Sequence, residues 1–312
     1  MQIQKELAEA LLEAVPDSVV IVDHDGRITI VNARTEEVFG YSREELLGQP
    51  IEQLIPKRLQ AVHVAHRTQY QKDPHSRSMG TGLDLIARRK DGSEFNVDVS
   101  LSSLETPDGR LIISTIRDVT KEKLAEAQIY NLAFYDALTQ LPNRRLLYDR
   151  LSQMMASSKR TGRYGALMFL DLDNFKPVND KHGHGAGDLL LIEVANRLNQ
   201  CVREVDTVAR FGGDEFVVML DELSVDKSES ALQARIVAEK VRANLSDPYL
   251  LTIKREAEAD TTIEHCCTVS IGVVVFISDD GSKDEILKWA DIAMYKAKES
   301  GGNQIYFNDA NT

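Results

Sequence analysis

The sequence has few cysteines, no long apolar run and no excess of basic residues. Its cysteines, Cys201, Cys266 and Cys267, are an odd number and two are adjacent, which favours reduced packing cysteines over a disulfide framework or a metal site. The longest apolar stretches, such as residues 166–170, fall far short of the roughly 20 residues that a membrane span needs. The net charge of -12 argues against a nucleic-acid-binding surface, which is usually basic.

The N-terminus also lacks the basic and apolar regions of a secretory signal. Residues 1–15 have instead the pattern of an amphipathic helix. With neither a signal nor a membrane span expected, the sequence favours a cytoplasmic location. A chain of 312 residues that is 43% hydrophobic and 28% charged can form packed cores, and its length indicates roughly two domains.

Three Asp-Gly pairs mark the first third of the chain, in residues 19–32, 86–101 and 103–120. Asp-Gly between β-rich runs predicts a hairpin in each case. Between the first two hairpins, Ser42 and Glu45 have capping-box spacing before a short helix. Helices inserted after the second strand of an antiparallel sheet, with the segments NARTEEVFGYSREELLG, RRKDGSEF and IRDVT, resemble the PAS sensor fold. We therefore expect a PAS domain with an N-terminal helix over residues 1–120.

The segment 121–135 contains no Gly or Pro and predicts a continuous helix. Leu124, Ala127 and Phe134 recur at helical spacing, with Tyr130 or Asn131 between them. Such a short stripe is compatible with ordinary packing or with a coiled coil. Its place between the PAS-like region and the remainder of the chain favours a helical signalling linker in a parallel homodimer.

The remainder, residues 136–312, alternates helical and strand-like segments and indicates an α+β domain. One apolar strand ends at Asp171 and is followed by a polar loop that contains Lys176 and by a long amphipathic helix that starts near Gly187. A hairpin then crosses Gly212-Gly213 to reach Asp214 and Glu215. If these strands are neighbours in one sheet, the carboxylates converge at one edge, where hard oxygen ligands suit Mg²⁺. For Asp214 and Glu215 taken alone, a polar turn is the alternative interpretation.

Several spaced motifs in this region resemble the GGDEF family, the diguanylate cyclases. The matching segments are DALTQLPNRR, DLDNFKPVNDKHGHGAGD, RFGGDEF, TVSIGV and ADIAMYKAKESGGN. The resemblance implies an α+β architecture in which the PAS domain is joined by a helix to a nucleotide-cyclase-like palm. It also implies that two GTP molecules are condensed into cyclic di-GMP with release of pyrophosphate, in an active homodimer with two Mg²⁺ per active site.

The resemblance also assigns roles to individual residues. The expected Mg²⁺ ligands are Asp171, the Leu172 carbonyl and Asp214, with Glu215 supporting a second metal or the deprotonation of the 3′-hydroxyl. The residues expected to contact substrate are Lys176, which stabilises charge, Asn179 and Asp188, which read guanine, His184, and Lys298, which contacts the terminal phosphates. His182 is expected to face solvent, and Asp173 to be structural.

Two further positions bear on regulation and affinity. Arg203 and Asp206 form the RxxD arrangement that the family uses as an inhibitory site for cyclic di-GMP; a surface ion pair is the alternative. Gly302 stands where the family commonly has Arg, which leaves Lys298 as the evident phosphate-binding residue of this segment.

The ligand of the PAS domain is not evident from its residues. No cysteine precedes Cys201, which excludes flavin chemistry through a cysteinyl adduct. His63 and His66 lie on a predicted helix where a haem-binding PAS domain carries its histidine, although solvated histidines also fit this pattern. For the whole chain, the alternatives to a cyclase are a non-catalytic module that binds GTP or cyclic di-GMP and a PAS-driven scaffold.

Overall fold

The protein is represented by a computed structural model that describes residues 2–72, 77–78, 84–107, 109–253, 261–277 and 280–308. The chain divides into two compact units, Met1–Gln128 and Ile129–Thr312. No helix in the described ranges combines the length and the hydropathy that crossing a membrane requires.

The first unit is an antiparallel sheet with its helices inserted after the second strand. The strands follow the order β2-β1-β6-β5-β3, and β4 also pairs with β5. The elements are α1 (Gln2–Glu13), β1 (Ser18–Val22), β2 (Ile28–Val31), α2 (Ala33–Phe39), α3 (Arg43–Leu46), α4 (Gln60–Lys72), β3 (Arg77–Ser78), β4 (Leu85–Arg88), β5 (Glu94–Thr106) and β6 (Gly109–Asp118), with 3₁₀ turns at Ile51–Leu54 and Lys57–Leu59. This architecture confirms the predicted PAS-like arrangement.

The local signals in this unit have the predicted outcome. The Asp-Gly pairs at residues 25–26 and 91–92 join β1 to β2 and β4 to β5, both antiparallel. β5 also pairs antiparallel with β6, and Asp108 of the third Asp-Gly pair lies outside the described residues. At the start of α3, the Glu45 N–H donates to Ser42 Oγ at 3.4 Å, and the Ser42 N–H donates to Glu45 Oε2 at 2.9 Å. The capping box is therefore confirmed.

A continuous helix, α5 (Thr120–Phe134), runs from the first unit into the second. None of its described residues is buried, and Leu124, Ile129 and Leu132 are 59%, 66% and 74% exposed. Three apolar side chains of α5, those of Leu124, Ile129 and Leu132, are thus largely exposed.

The second unit is a five-stranded sheet between two layers of helices. The strands follow the order β13-β12-β7-β9-β8, with β13 parallel to β12 and the other pairs antiparallel. The elements are α6 (Arg144–Thr161), β7 (Gly165–Asp173), α7 (Lys176–His182), α8 (His184–Cys201), β8 (Thr207–Gly212), β9 (Glu215–Leu220), α9 (Lys227–Ser246), β10 (Tyr249–Ile253), β11 (Thr261–His265), β12 (Thr268–Phe276), α10 (Lys283–Glu299) and β13 (Ile305–Asn308), of which β10 and β11 form a separate ribbon.

Alternate side chains of the central strand β7 pack against the helices on opposite faces of the sheet. Met168 and Leu170 belong to the core with α8 and α9, whereas Leu167 and Phe169 belong to the core with α6 and α10. α10 packs closely on β12, because a Cβ at Gly272 would lie 2.0 Å from the Ala290 carbonyl oxygen. α10 is thereby held against β12, the strand beside the central strand β7.

Two predicted boundaries differ in the structure. Lys176 begins α7, although the sequence placed it in a loop, and α8 begins at His184, before the predicted start near Gly187. Gly183 separates the two helices with a φ of 83°, a conformation that glycine adopts readily. The polar loop after β7 is therefore largely helical.

Candidate active site

The three carboxylates that the sequence predicts to converge, Asp171, Asp214 and Glu215, lie at the ends of neighbouring strands. In the antiparallel pairing of β7 with β9, Asp171 lies opposite Glu215. The Leu172 N–H donates to the Asp214 carbonyl oxygen at 3.3 Å. The structure therefore brings Asp171, Asp214 and Glu215 together, and these three residues are called the acidic edge below.

The acidic edge is electrostatically unfavourable for two of its carboxylates. Burial, followed by the nearby charge of Asp214, raises the pKa of Asp171, although a hydrogen bond from Lys298 acts in the opposite direction. Burial and the charge of Asp171 also raise the pKa of Glu215. In both cases burial is the largest cause of the raised pKa and the neighbouring carboxylates add to it, so this edge disfavours the charged forms of Asp171 and Glu215.

One protein cation lies against this charge. Lys298 Nζ is 2.6 Å from Asp171 Oδ1, and the lysine is only partly exposed. α10 can place Lys298 there because the helix lies directly on the β12 backbone at Gly272. Lys298 therefore lies at the acidic edge. The sequence predicts that this lysine contacts the terminal phosphates of the substrate.

The donor set of the acidic edge fits Mg²⁺ together with a phosphate substrate. Within the described residues, no group of three or more His, Cys, Asp or Glu side chains is arranged so that it could hold a metal ion by itself. Mg²⁺ commonly uses one or two carboxylates and completes its octahedron with water and substrate phosphates. The partly buried Asp171 and its acidic neighbours have the chemistry for such an open site.

Asp173 serves the fold, as the sequence predicted. Its carboxylate accepts hydrogen bonds from Thr268 Oγ1 at 2.7 Å, Ser270 Oγ at 2.7 Å and the Asn303 N–H at 2.8 Å. A Cβ at Gly302 would lie 3.1 Å from this carboxylate, and Gly302 has a φ of 71°. Asp173 thus ties β7 to β12 and to the segment before β13.

The segment after β7 carries the residues expected to contact the nucleotide. Asn179 Oδ1 is buried and has no hydrogen-bond partner within the described ranges. The side chain lies against Gly187 in α8, where a Cβ would be 2.0 Å from this oxygen. Lys176 at the start of α7, and His184 and Asp188 in the first turns of α8, are exposed. A buried amide oxygen without a partner suits a polar ligand.

The turn at the tip of the β8–β9 hairpin is held by a residue to which the sequence gave no role. Arg210 donates from Nε and Nη2 to the Gly213 carbonyl oxygen at 3.0 and 2.7 Å, and from Nη1 to Asp136 Oδ1 at 2.9 Å. Gly213 has a φ of 53°. Asp136 and Arg210, the first residues of the segments DALTQLPNRR and RFGGDEF, thus form an ion pair. In the sequence, the only indication of this pair is that each residue begins one of the two motifs.

The RxxD residues lie at the other end of β8 from the turn. Asp206 accepts the Arg203 N–H at Oδ2 at 2.9 Å and the Asp221 N–H at Oδ1 at 3.3 Å. Arg203 is exposed, and no ion pair joins it to Asp206 among the described residues. The alternative of a surface ion pair is therefore not what the structure shows.

The histidines considered as haem ligands lie on α4 of the first unit. His63 Nδ1 is 3.0 Å from Glu52 Oε1, which also accepts from Arg67 Nε at 3.1 Å. His66 is exposed. His63 thus belongs to a polar cluster with Glu52 and Arg67, which is called the Glu52 cluster below.

Comparison with known families agrees with this geometry. The family described as "Diguanylate cyclase, GGDEF domain" matches residues 133–304, and the PAS fold matches residues 6–119. The probable diguanylate cyclase DgcE of Escherichia coli is 30% identical over 311 residues, which cover 97% of this chain and 26% of DgcE. The bifunctional diguanylate cyclase/cyclic di-GMP phosphodiesterase MucR of Pseudomonas aeruginosa is 40% identical over 200 residues, 64% of this chain and 27% of MucR.

A solved structure has the same fold in the second unit. The coiled coil and GGDEF domain of DgcB from Caulobacter crescentus, in complex with c-di-GMP, is 27% identical, covers 61% of this chain and 93% of that one, and has a TM-score of 0.52. This chain spans about a quarter of the length of DgcE and MucR. The matched residues nevertheless include more than half of the chain, which therefore belongs to the GGDEF diguanylate cyclase family and carries an N-terminal PAS fold.

Proposed function

We propose that this chain is a Mg²⁺-dependent diguanylate cyclase that condenses two GTP molecules into cyclic di-GMP and pyrophosphate. The observation that carries the proposal is the acidic edge. Asp171 and Glu215 are held as neighbours with raised pKa values, at the sheet edge that Lys298 also reaches. A polar turn alone gives no reason to hold two carboxylates in so unfavourable an arrangement, whereas a cation and a polyphosphate substrate do.

In this proposal Asp171, the Leu172 carbonyl and Asp214 hold Mg²⁺, and Glu215 supports a second ion or accepts the proton of the 3′-hydroxyl. When bound, the metal would neutralise charge at the attacked phosphate and make the hydroxyl more acidic. Lys176 and Lys298 would bind the phosphates from opposite sides of the edge, because one begins α7 and the other lies near the end of α10.

Asn179 and Asp188 are the proposed guanine-binding pair, with His184 as a further contact. The unpaired Asn179 Oδ1 supports this assignment because a ligand N–H would satisfy it. Asp188 is exposed and free to accept from the N1 and N2 hydrogens of guanine. The base would thus be held by α7 and α8, beside the strand that carries Asp171.

The proposal extends to assembly and regulation. Each chain holds one GTP, so the reaction needs two chains face to face, and the exposed apolar residues of α5 are suited to a homodimer helix. We further propose that the PAS domain controls this dimer through α5, and that Arg203 and Asp206 form a product-inhibition site. The exposed Arg203 guanidinium is able to grip a phosphate or a guanine edge.

Incubation of the purified chain with GTP and Mg²⁺, followed by chromatography of the products, tests the proposal. A cyclase gives cyclic di-GMP and pyrophosphate, and product formation stops when EDTA is added. A chain that binds GTP or cyclic di-GMP without forming product is an effector module, and a chain that binds neither is a scaffold. Either result would overturn the proposed activity.

A further inference from the structure

A groove of about 710 Å³ lies beside the β8–β9 turn, between that turn and the start of α6. Its lining includes the guanidinium groups of Arg144, Arg145 and Arg210, the rings of Tyr148 and Phe211, and the carboxylate of Asp136. Gly212 and Gly213 also line it, directly before the acidic edge in sequence. Neither the acidic edge nor the proposed nucleotide-binding and inhibitory residues line this groove, which is called the arginine groove below.

The arginine groove is basic in an acidic chain. Three guanidinium groups face one carboxylate there, whereas the chain as a whole has 49 acidic and 37 basic residues. Arg210 is committed to Asp136 and to the Gly213 carbonyl. Neither Arg144 nor Arg145 forms an ion pair with any residue in the described ranges, so both retain their charge for a ligand.

Aromatic rings hold Arg144 and Arg145 in place. The Arg144 Cζ atom is 4.6 Å from the Phe211 ring centroid and 5.6 Å from that of Tyr148. Phe211 is itself packed edge-on against Phe169, with centroids 5.1 Å apart. Arg145 Cζ lies 5.0 Å from the Phe134 ring centroid. A guanidinium over a ring has its N–H edge free, which is the geometry that grips phosphate bidentately.

We propose that the arginine groove binds a guanine nucleotide through its phosphate, at a subsite separate from Asn179, Asp188 and Lys298. Arginine recognises phosphate oxygens and the O6/N7 edge of guanine, and aromatic rings stack on bases. The inference rests on the proposed function, in which two nucleotides must meet beside the Gly212-Gly213 turn. The nucleotide is either the second GTP, carried by another copy of the chain, or the cyclic product.

Photolabelling with 8-azido-GTP and Mg²⁺ tests the subsite in the full-length chain. After digestion with a protease that cleaves only after lysine, saturable label is expected in the peptide of residues 124–159, which contains Tyr148 and is released from wild type and variant alike. In Arg144→Ala/Arg145→Ala this label falls by roughly tenfold or more, since two charged contacts to phosphate are lost. Removing positive charge from the start of a helix does not weaken the helix, and circular dichroism checks that the variant is folded.

Arg160→Ala is the matched control, because Arg160 lies exposed at the other end of α6 and donates a hydrogen bond to Ser157 Oγ at 3.5 Å. Its labelling is expected to equal that of the wild type. Competition identifies the source of the nucleotide: displacement by GTP alone indicates the second substrate, and displacement by submicromolar cyclic di-GMP, on the order of a tight regulatory affinity, indicates the product. Label that neither compound displaces contradicts the proposal.

Product assays on the same samples separate this inference from the proposed function. If the wild type labels at the Tyr148 peptide but makes no cyclic di-GMP, the subsite stands and the cyclase assignment fails. If cyclic di-GMP is made while label is confined to other peptides, or is unchanged in Arg144→Ala/Arg145→Ala, the cyclase assignment stands and the arginine groove is not a nucleotide site.

Discussion

The acidic edge of the second unit and the Glu52 cluster of the first show opposite ways of burying a carboxylate. Glu52 is 7% exposed, like Asp171. Burial alone would raise the pKa of Glu52, but hydrogen bonds from His63 and the charge of Arg67 lower it. For Asp171, burial and its acidic neighbours prevail over Lys298, and the pKa is raised.

The two residues are equally exposed, and the charges beside them differ. The Glu52 cluster is electrostatically complete, because a guanidinium and an imidazole face one carboxylate. The acidic edge gathers three carboxylates around one ammonium group. In the proposed function an external cation would complete the acidic edge, whereas Glu52 already has its partners within the chain.

Neutralising a carboxylate of the acidic edge is expected to have the largest effect on activity. Asp214→Asn should lower cyclic di-GMP synthesis by about 100-fold or more, because the proposed metal ligand and its charge are lost. The thermal midpoint without Mg²⁺ should not fall, since the substitution removes like-charge repulsion. Initial rates and differential scanning fluorimetry measure the two effects.

Mg²⁺ itself sharpens this prediction. Ligand that binds only the folded state raises the thermal midpoint, so Mg²⁺ with GTP should stabilise the wild type more than Asp214→Asn. Asp284→Asn, in the exposed first turn of α10, is the matched control and should behave as the wild type in both assays. Undiminished turnover in Asp214→Asn would refute the metal assignment.

The Glu52 cluster should respond through stability. Glu52→Gln leaves Arg67 without its buried partner and is expected to lower the local free energy of unfolding by about 1 to 3 kcal/mol. Because folding lowers the pKa of Glu52, its contribution is present above the ordinary value of 4.5 and is lost as the pH falls through the folded-state pKa. The difference between wild type and variant should therefore shrink in acid.

Hydrogen exchange of peptides from residues 46–72, measured in the full-length chain, reports this local stability. Glu37→Gln is the matched control, because Glu37 forms an exposed pair with Arg34 and is 66% exposed. Its effect should stay within about 0.5 kcal/mol. Equal protection in the Glu52 and Glu37 variants would mean that the Glu52 cluster does not stabilise the first unit.

Patterns of short range predicted much of this architecture. The hairpins at Asp-Gly, the Ser42–Glu45 capping box and the helix over residues 121–135 depend on residues that are close in sequence. The pairing of β7 with β9 was conditional, because spacing alone does not fix which strands are neighbours. The resemblance to the family favoured β7 and β9 as neighbours, and the observed register confirms that they pair.

Contacts over long sequence distances were not predictable from the pattern. The Arg210–Asp136 pair joins residues 74 positions apart, and each residue alone is an ordinary surface charge in the sequence. The stacking of Arg144 on Phe211 likewise depends on how α6 meets β8. The missed start of α8 has a local cause, since Gly183 and Gly185 weaken a helical pattern that tertiary packing stabilises.

Asp206 differs from both Asp171 and Glu52, because backbone N–H groups donate hydrogen bonds to its carboxylate. Because Asp206 holds its own turn, Arg203→Ala tests the inhibitory site more cleanly than a change at Asp206. The variant should keep its initial rate to within about twofold and lose product inhibition, since a bidentate phosphate contact is removed. Progress curves that slow equally with accumulating product in wild type and variant would place the inhibitory site elsewhere.

The smallest effect is expected from adding a cation near the acidic edge, which would make it more like the Glu52 cluster. Gly302→Arg should lower the KM for GTP several-fold. A charged hydrogen bond to phosphate contributes roughly 1.5 to 3 kcal/mol of binding free energy, and ordering the arginine side chain costs about 1.5 to 2 kcal/mol of it. A φ of 71° and the nearby Asp173 carboxylate also disfavour a side chain at this position. Gly302→Ala, which has the backbone strain without the guanidinium, is the matched control, and Lys298→Ala should raise KM. If KM is unchanged in both Gly302→Arg and Lys298→Ala, this segment does not contact the phosphates.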